Sequence, residues 1–152
     1  MVFYLVLFLA LLGVDLATKA IAVSTLHTSI ILCSFLRLRL IFNSGVGLGL
    51  LTNSGVNSQL VLIIISSLLV LVVACFAMYR AIWLRAGIIP EIMVCAGGIG
   101  NVISRIFYGG VADFLELAFY NGYSSILNIA DIYIGVGFGI ILLRIFYHDR
   151  VL

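Results

Sequence analysis

The chain has 152 residues, of which 64% are hydrophobic and only 9% are charged, and its mean hydropathy is +1.33. This composition excludes an ordinary water-soluble domain and indicates an integral membrane protein. The formal charge of +2 comes from scattered residues that form no basic run, so the sequence gives no reason to expect a nucleic-acid partner. The three cysteines have no paired short spacing, which argues against a disulfide framework or a zinc site.

Four stretches are long enough to cross a hydrocarbon layer about 30 Å thick, which requires about 20 mainly apolar residues. We therefore expect a single membrane domain over 1–152, an α-helical bundle whose four transmembrane helices lie at about 2–23, 59–78, 88–107 and 128–146. The first stretch lacks the basic n-region of a signal peptide, and we expect it to be retained.

The orientation in the membrane depends on the short link at 79–87, which carries Arg80 and Arg85. Short cytoplasmic loops are enriched in basic residues, so this link is predicted to be cytoplasmic. Both termini then face the cytoplasm as well. Counted over the whole chain, four lysine and arginine residues fall on each side, so the orientation depends on the short link.

The segment between the first two spans is predicted to form a small β platform on the outer membrane surface, at about 28–56. Leucines alternate with Arg37 and Arg39 over 36–40, which is the two-residue period of a strand. Turn sequences follow at 43–45 and 53–55, on either side of a glycine-rich run. The alternative is a disordered loop.

Polar residues inside the spans share helical faces. Asp15, Thr18 and Lys19 stand at i, i+3 and i+4, with the acid N-terminal to the base, so Asp15 and Lys19 are expected to pair. Asn101 and Arg105 are four residues apart on the third span. Glycines at 97, 98 and 100, and at 135, 137 and 139, are expected to let the helices approach closely.

Two aspartates, Asp113 and Asp131, stand in apolar surroundings near the third and fourth spans. A carboxylate at membrane depth costs about 2.5 to 3.5 kcal/mol on insertion scales, so such an acid indicates function. The segment 114–130 can turn at Asn121-Gly122 and bring the two carboxyls together. Such a pair holds a shared proton, because both carboxyls cannot easily ionise. One aspartate can then activate water while the other donates a proton; which does which stays open.

Five sequence blocks carry a family resemblance. They are Asp-x-x-Thr-Lys at 15–19, Asn-x-Gly at 43–45, Gly-Gly-x-Gly-Asn followed by an arginine at 97–105, and two aspartate blocks at 111–114 and 128–131. In this order they resemble the motifs of the bacterial lipoprotein signal peptidases, signal peptidase II.

The resemblance implies an aspartic-type endopeptidase of the bacterial cytoplasmic (inner) membrane, with its active site near the outer leaflet. The implied substrate is a prolipoprotein with a diacylglyceryl-modified cysteine, reached among membrane lipids, and the implied inhibitors are cyclic peptides such as globomycin. No metal or organic cofactor is expected. The implied catalytic pair is Asp113 and Asp131, the substrate-positioning residues are Asn43, Gly45, Asn101, Arg105 and Asn128, and the supporting residues are Asp15 and Lys19.

One departure from the family pattern is Ser104, where an acid usually precedes the arginine. It leaves open a catalytically inactive relative that binds lipoproteins. A small proton-coupled transporter, with Asp131 and Arg105 as a titrating relay, is a second alternative. The nearly apolar cytoplasmic halves of the spans speak against the transporter. Neither Gly-x-Ser-x-Gly nor His-Glu-x-x-His occurs in the sequence.

Overall fold

A computed structural model describes residues 1–45, 58–119 and 123–148. Within these ranges the chain forms four α-helices, each long and apolar enough to cross a membrane. They are α1 (Val2–Thr25), α2 (Ser58–Ile82), α3 (Ile89–Tyr108) and α4 (Ile129–His148). The predicted fold class, a membrane-type helical bundle with a small β platform, is confirmed.

The platform is an antiparallel sheet in the order β1 (Ile30–Cys33), β2 (Leu36–Asn43), β3 (Val111–Ala118) and β4 (Ser124–Leu127). Strand β2 contains the alternating leucines and arginines, with Arg37 and Arg39 exposed. The rest of the predicted platform at 46–56, and the turn predicted at Asn121-Gly122, lie outside the described residues.

Half of the sheet was not predicted from the sequence. Strands β3 and β4 come from the connection between α3 and α4, for which only a turning segment was expected. The first four residues of β3 are all buried, so this strand lacks the polar and apolar alternation that marks a half-exposed strand. Pairing of β3 with β2 places Asp113 opposite Ile41 and Val111 opposite Asn43.

Helix α3 is the central helix and packs against α1, α2 and α4. Its three glycines face three different helices. A Cβ on Gly97 would lie 2.6 Å from the backbone oxygen of Ala130 in α4, one on Gly98 would meet Val70 of α2, and one on Gly100 would meet Asp15 of α1. The glycines therefore let all three neighbours approach the α3 backbone.

Of the α4 glycines, only Gly137 makes the expected close approach. A Cβ there would lie 2.6 Å from the backbone oxygen of Pro90 in α3. For Gly135 and Gly139 no atom of the described residues lies within 4 Å of that position. The expectation of close packing at these two positions was wrong, because they face away from α3.

A buried charge lies at the end of the bundle opposite the sheet. Glu91, in the first turn of α3, is 0% exposed, and its Oε1 lies 3.0 Å from Arg80 Nε and 3.7 Å from Arg144 Nη1. The cluster joins the ends of α2, α3 and α4. The expectation that this half of the spans is almost purely apolar was therefore wrong at Glu91.

The glycine contacts predict different outcomes for two alanine substitutions on α4. Gly137→Ala should lower the free energy of unfolding by about 1–3 kcal/mol, because its Cβ overlaps the Pro90 carbonyl. Gly139→Ala is the matched control and should leave stability unchanged or slightly higher. Thermal unfolding in detergent measures both, and an equal loss at the two positions would contradict the packing described.

Candidate active site

Asp113 and Asp131 are joined by one residue, Asn128. The Nδ2 of Asn128 donates to Asp113 Oδ1 at 2.6 Å, and its backbone N–H donates to Asp131 Oδ2 at 3.1 Å. Asn128 is 0% exposed and Asp113 only 2%, whereas Asp131 is half-buried. The two aspartates predicted from the sequence therefore lie in one hydrogen-bonded cluster.

The start of α4 holds Asp131 in place. Asn128 precedes the helix, and its Oδ1 accepts the Asp131 N–H at 3.1 Å, while Asp131 Oδ2 accepts the Asn128 N–H in return. This reciprocal pattern is a capping box. Asp15 Oδ1 accepts a third N–H, that of Ala130, at 3.0 Å. The partial positive charge at the helix N-terminus attracts both carboxylates.

Two more asparagines complete the cluster. Asn43 donates from Nδ2 to Asp113 Oδ2 at 2.9 Å, and its Oδ1 accepts the Gly45 N–H at 2.9 Å. Asn101 donates from Nδ2 to Asp131 Oδ1 at 2.9 Å, and its Oδ1 accepts from Lys19 Nζ at 2.8 Å. All four carboxylate oxygens of the two aspartates thus accept a hydrogen bond from an amide group.

Burial raises the pKa of Asp113 above its ordinary value. The hydrogen bonds from Asn43 and Asn128 act in the opposite direction, because they stabilise the ionised carboxylate, as does the charge of Lys19. The nearby charge of Asp131 adds to the increase. The net effect is a raised pKa, so Asp113 keeps its proton to a higher pH than a free aspartate does.

Asp15 and Lys19 form a buried ion pair behind these residues. Lys19 Nζ lies 2.8 Å from Asp15 Oδ2, and the two residues are only 1% and 0% exposed. Because Asp15 also binds the Ala130 N–H and Lys19 binds Asn101, the pair connects α1 to both α3 and α4.

Arg105 borders a groove between α2 and α4. The groove has a volume of about 240 Å³, and its floor on α3 includes Asn101 and Arg105. Arg105 Nη1 makes a long 3.4 Å bond to the Asn101 carbonyl, and its buried Nε has no hydrogen-bond partner among the described residues. The Arg105 side chain is within electrostatic range of both aspartates.

Ser104 joins the end of α3 to the start of β3. Its Oγ donates to the Gly110 carbonyl at 3.1 Å and accepts the Ala112 N–H at 2.9 Å, and the residue is 1% exposed. Ala112 directly precedes Asp113. At this position, where the resemblance led us to expect an acid, the hydroxyl of Ser104 fixes the backbone beside the aspartate, a role that the sequence alone did not indicate.

Another hollow of the described structure is separate from this cluster. This larger hollow, of about 540 Å³, lies at the opposite end of the sheet, around Arg37 and Glu116, and is lined by none of the predicted site residues. Within 1–45, 58–119 and 123–148, no three His, Cys, Asp or Glu residues are grouped so that they could hold a metal ion.

A membrane-type bundle with two amide-bound aspartates at one end has the features of a membrane-embedded hydrolase. The model of the family described as Signal peptidase (SPase) II matches residues 7–147, and the chain therefore belongs to that family, the aspartic-type peptidases that cleave lipoprotein signal peptides. The resemblance found in the sequence is confirmed. A search of curated protein sequences gave no significant match.

Two solved structures share the fold. Each is described as a bacterial membrane enzyme structure determined by the in meso method, one at 2.3 Å and the other at 1.9 Å resolution. The first is 22% identical with a TM-score of 0.79, and the match covers 98% of this chain and 90% of the other. The second is 24% identical with a TM-score of 0.80, covering 95% and 93%.

The Ser104 contacts predict a selective loss of stability. Ser104→Ala should lower the free energy of unfolding by about 1–3 kcal/mol, because a buried N–H and a buried carbonyl each lose a partner. Ser24→Ala is the control, since among the described residues the Ser24 hydroxyl donates to the exposed Ile21 carbonyl of its own helix. Thermal unfolding that gave similar losses for the two variants would contradict this role of Ser104.

Proposed function

We propose that the protein is a membrane aspartyl endopeptidase that removes the signal peptide from diacylglyceryl-modified prolipoproteins. The observation that carries the proposal is the cluster around Asp113 and Asp131, in which amide groups bind every carboxylate oxygen. A chain of the signal peptidase II family that holds two carboxyls in this way has the groups needed for direct attack by water.

The two aspartates have different surroundings, which suggests different roles. Asp113 is buried and its pKa is raised, so it holds a proton more readily than a free aspartate and is assigned the role of the acid. Asp131 is more accessible and lies at the positive end of α4, so it acts as the base. Asp131 takes a proton from water as the water oxygen attacks the scissile carbonyl carbon, and Asp113 protonates the carbonyl oxygen.

Collapse of the tetrahedral intermediate completes the cycle without an acyl-enzyme. One hydroxyl of the intermediate returns its proton to Asp113, and Asp131 delivers its proton to the leaving nitrogen of the modified cysteine. The C–N bond breaks, and the leader departs with a new carboxyl group. The pair then again holds one proton, as at the start.

The groove between α2 and α4 is the proposed place for the apolar part of the leader. Its sides include Leu69, Val73 and Phe138, and Asn101 and Arg105 lie on its floor. Arg105 lines the groove, and its guanidinium group can donate to a substrate carbonyl. Asn43 and Gly45, at the end of β2, would position the chain on the mature side. Cyclic peptides of the globomycin type would compete for the same groove.

The proposed location is the bacterial inner membrane, with both termini in the cytoplasm and the active site near the outer leaflet. Arg80, Arg85 and Arg144 lie at the end of the bundle opposite the aspartates. On the aspartate side, Lys19 is neutralised by Asp15 inside the bundle. Arg37, Arg39 and Arg105 also lie on the aspartate side, so the proposal of a cytoplasmic α2–α3 link depends on the basic residues of that short link itself.

Glu91 is the observation that favours a proton-coupled transporter, because it places an ionisable group in the other half of the bundle. However, Glu91 is held by Arg80 and Arg144, and α3 carries only apolar residues, glycine and Cys95 between Glu91 and Asn101. A titrating path through α3 would therefore lack intermediate groups, and the peptidase is the better supported function.

The proposed function predicts cleavage that depends on the lipid. Purified protein in bicelles should release the leader from a diacylglyceryl-modified prolipoprotein and leave the same protein with an unmodified cysteine intact, as measured by a gel shift. Binding without release would favour the inactive relative. Proton-driven uptake into vesicles, with no leader release, would favour the transporter.

The assigned roles predict the pH dependence of an Asn43→Ala variant. Removing the Asn43 hydrogen bond should raise the pKa of Asp113 further, because that bond stabilises the ionised form. If Asp113 is the acid, the alkaline limb of the kcat profile moves to higher pH. If instead the acidic limb moves to higher pH, Asp113 is the base and the assignment is wrong.

A further inference from the structure

We propose that Lys19 is a positioning residue for the catalytic pair: its ammonium group fixes the Asn101 amide so that Nδ2 faces Asp131. The inference rests on the proposed function and extends it to a residue that the sequence suggested only as a support. Lys19 makes no hydrogen bond to either aspartate of the pair in the described structure. Its charge acts on Asp113 at longer range, and its direct contact with the cluster is the hydrogen bond to Asn101.

The argument begins with the chemistry of the two groups. An ammonium group has only donors, whereas a primary amide has one acceptor oxygen and one donor nitrogen. With Lys19 Nζ 2.8 Å from the amide, the oxygen of Asn101 must face the lysine. The nitrogen must then face Asp131 Oδ1, which lies 2.9 Å away.

Without this donor, only the hydrogen bond to Asp131 Oδ1 would hold the amide in its orientation, and that bond weakens when Asp131 takes up a proton. A half turn about the bond to the amide group would point the oxygen at Asp131 and remove one of the two hydrogen bonds to that carboxylate. The base would then face a lone pair in place of an N–H group, in a buried site where such a mismatch is costly. The position and the proton affinity of the Asp131 carboxylate would both change.

Asn101 is oriented by a lysine side chain, whereas the other two asparagines of the cluster are oriented by backbone groups. Asn43 is fixed by the backbone N–H of Gly45, and Asn128 by the backbone N–H of Asp131. A substitution elsewhere cannot remove those backbone donors. Asn101 alone among the three depends on a side chain, and that side chain comes from a different helix.

A purely structural ion pair would behave differently under substitution. Replacing both members of a buried pair by neutral side chains of similar size is often neutral for stability, whereas removing one member leaves a buried charge. Asp15→Asn keeps the oxygen that accepts the Ala130 N–H. The double variant Asp15→Asn, Lys19→Met therefore removes the charges and the donor to Asn101 while keeping the contact with α4.

The experiment compares this variant with Asp15→Asn, Lys19→Gln in the leader-release assay. Gln and Met are similar in size, but only Gln can donate an N–H to Asn101. We expect both to unfold near the wild-type temperature. The Met variant should lose about 10- to 100-fold in kcat with little change in KM, as a misplaced catalytic group does, and the Gln variant should recover part of the loss.

A double-mutant cycle with Asn101 provides a second readout, which does not depend on the Gln variant. Asn101→Ala should lower kcat strongly in the wild type, but much less in the Met variant, where the amide is no longer oriented. Three results would overturn the role of Lys19. They are a wild-type kcat in the Met variant, an equal kcat in the Met and Gln variants, and additive effects in the cycle. Failure of the wild type itself to cleave would overturn the proposed function, and this inference with it.

Discussion

The structure depends on hydrogen-bond partners for the polar side chains that are buried inside a membrane-type bundle. A hydrogen-bonded chain runs from Lys19 through Asn101, Asp131, Asn128 and Asp113 to Asn43, and so connects α1, α3, α4, β3 and β2. In hydrocarbon an unpaired polar group costs several kcal/mol, so each member needs its neighbours. The hydrogen bonds that stabilise the fold are therefore also the ones that fix the geometry of the candidate active site.

The short reach of these side chains explains the glycines of α3. Asparagine and aspartate extend only a few ångströms from the backbone, so the helices that carry them must pack closely. Gly97 and Gly100 allow this, because one faces the start of α4 and the other faces Asp15. A larger residue at either position would separate the helices at the level where the polar chain crosses between them.

The sequence predicted the parts of the fold that follow a regular period. The four helices have long apolar runs, and β2 has strict alternation of leucine and arginine. Strand β3 was missed because its buried start has no alternation, and its partner in the sheet is distant in sequence. The capping box at Asn128 and Asp131 could have been found, since Asn-x-x-Asp before an apolar run is typical of a helix start.

Other features could not have been predicted, because they depend on contacts between distant segments. The Ser104 hydroxyl binds backbone groups that only the turn between α3 and β3 brings near it. Glu91 is buried because α2 and α4 each supply an arginine at the same end of the bundle. The link from Lys19 to Asn101 likewise requires that α1 pack on α3 through Gly100.

The central claim is that Asp113 and Asp131 together carry out hydrolysis. The most direct test measures leader release from a diacylglyceryl-modified prolipoprotein by the wild type, Asp113→Asn and Asp131→Asn, each shown to be folded and to bind the substrate. The account predicts binding by all three and release by the wild type alone. Release at the wild-type rate by either variant would remove that aspartate from the chemistry and contradict the account.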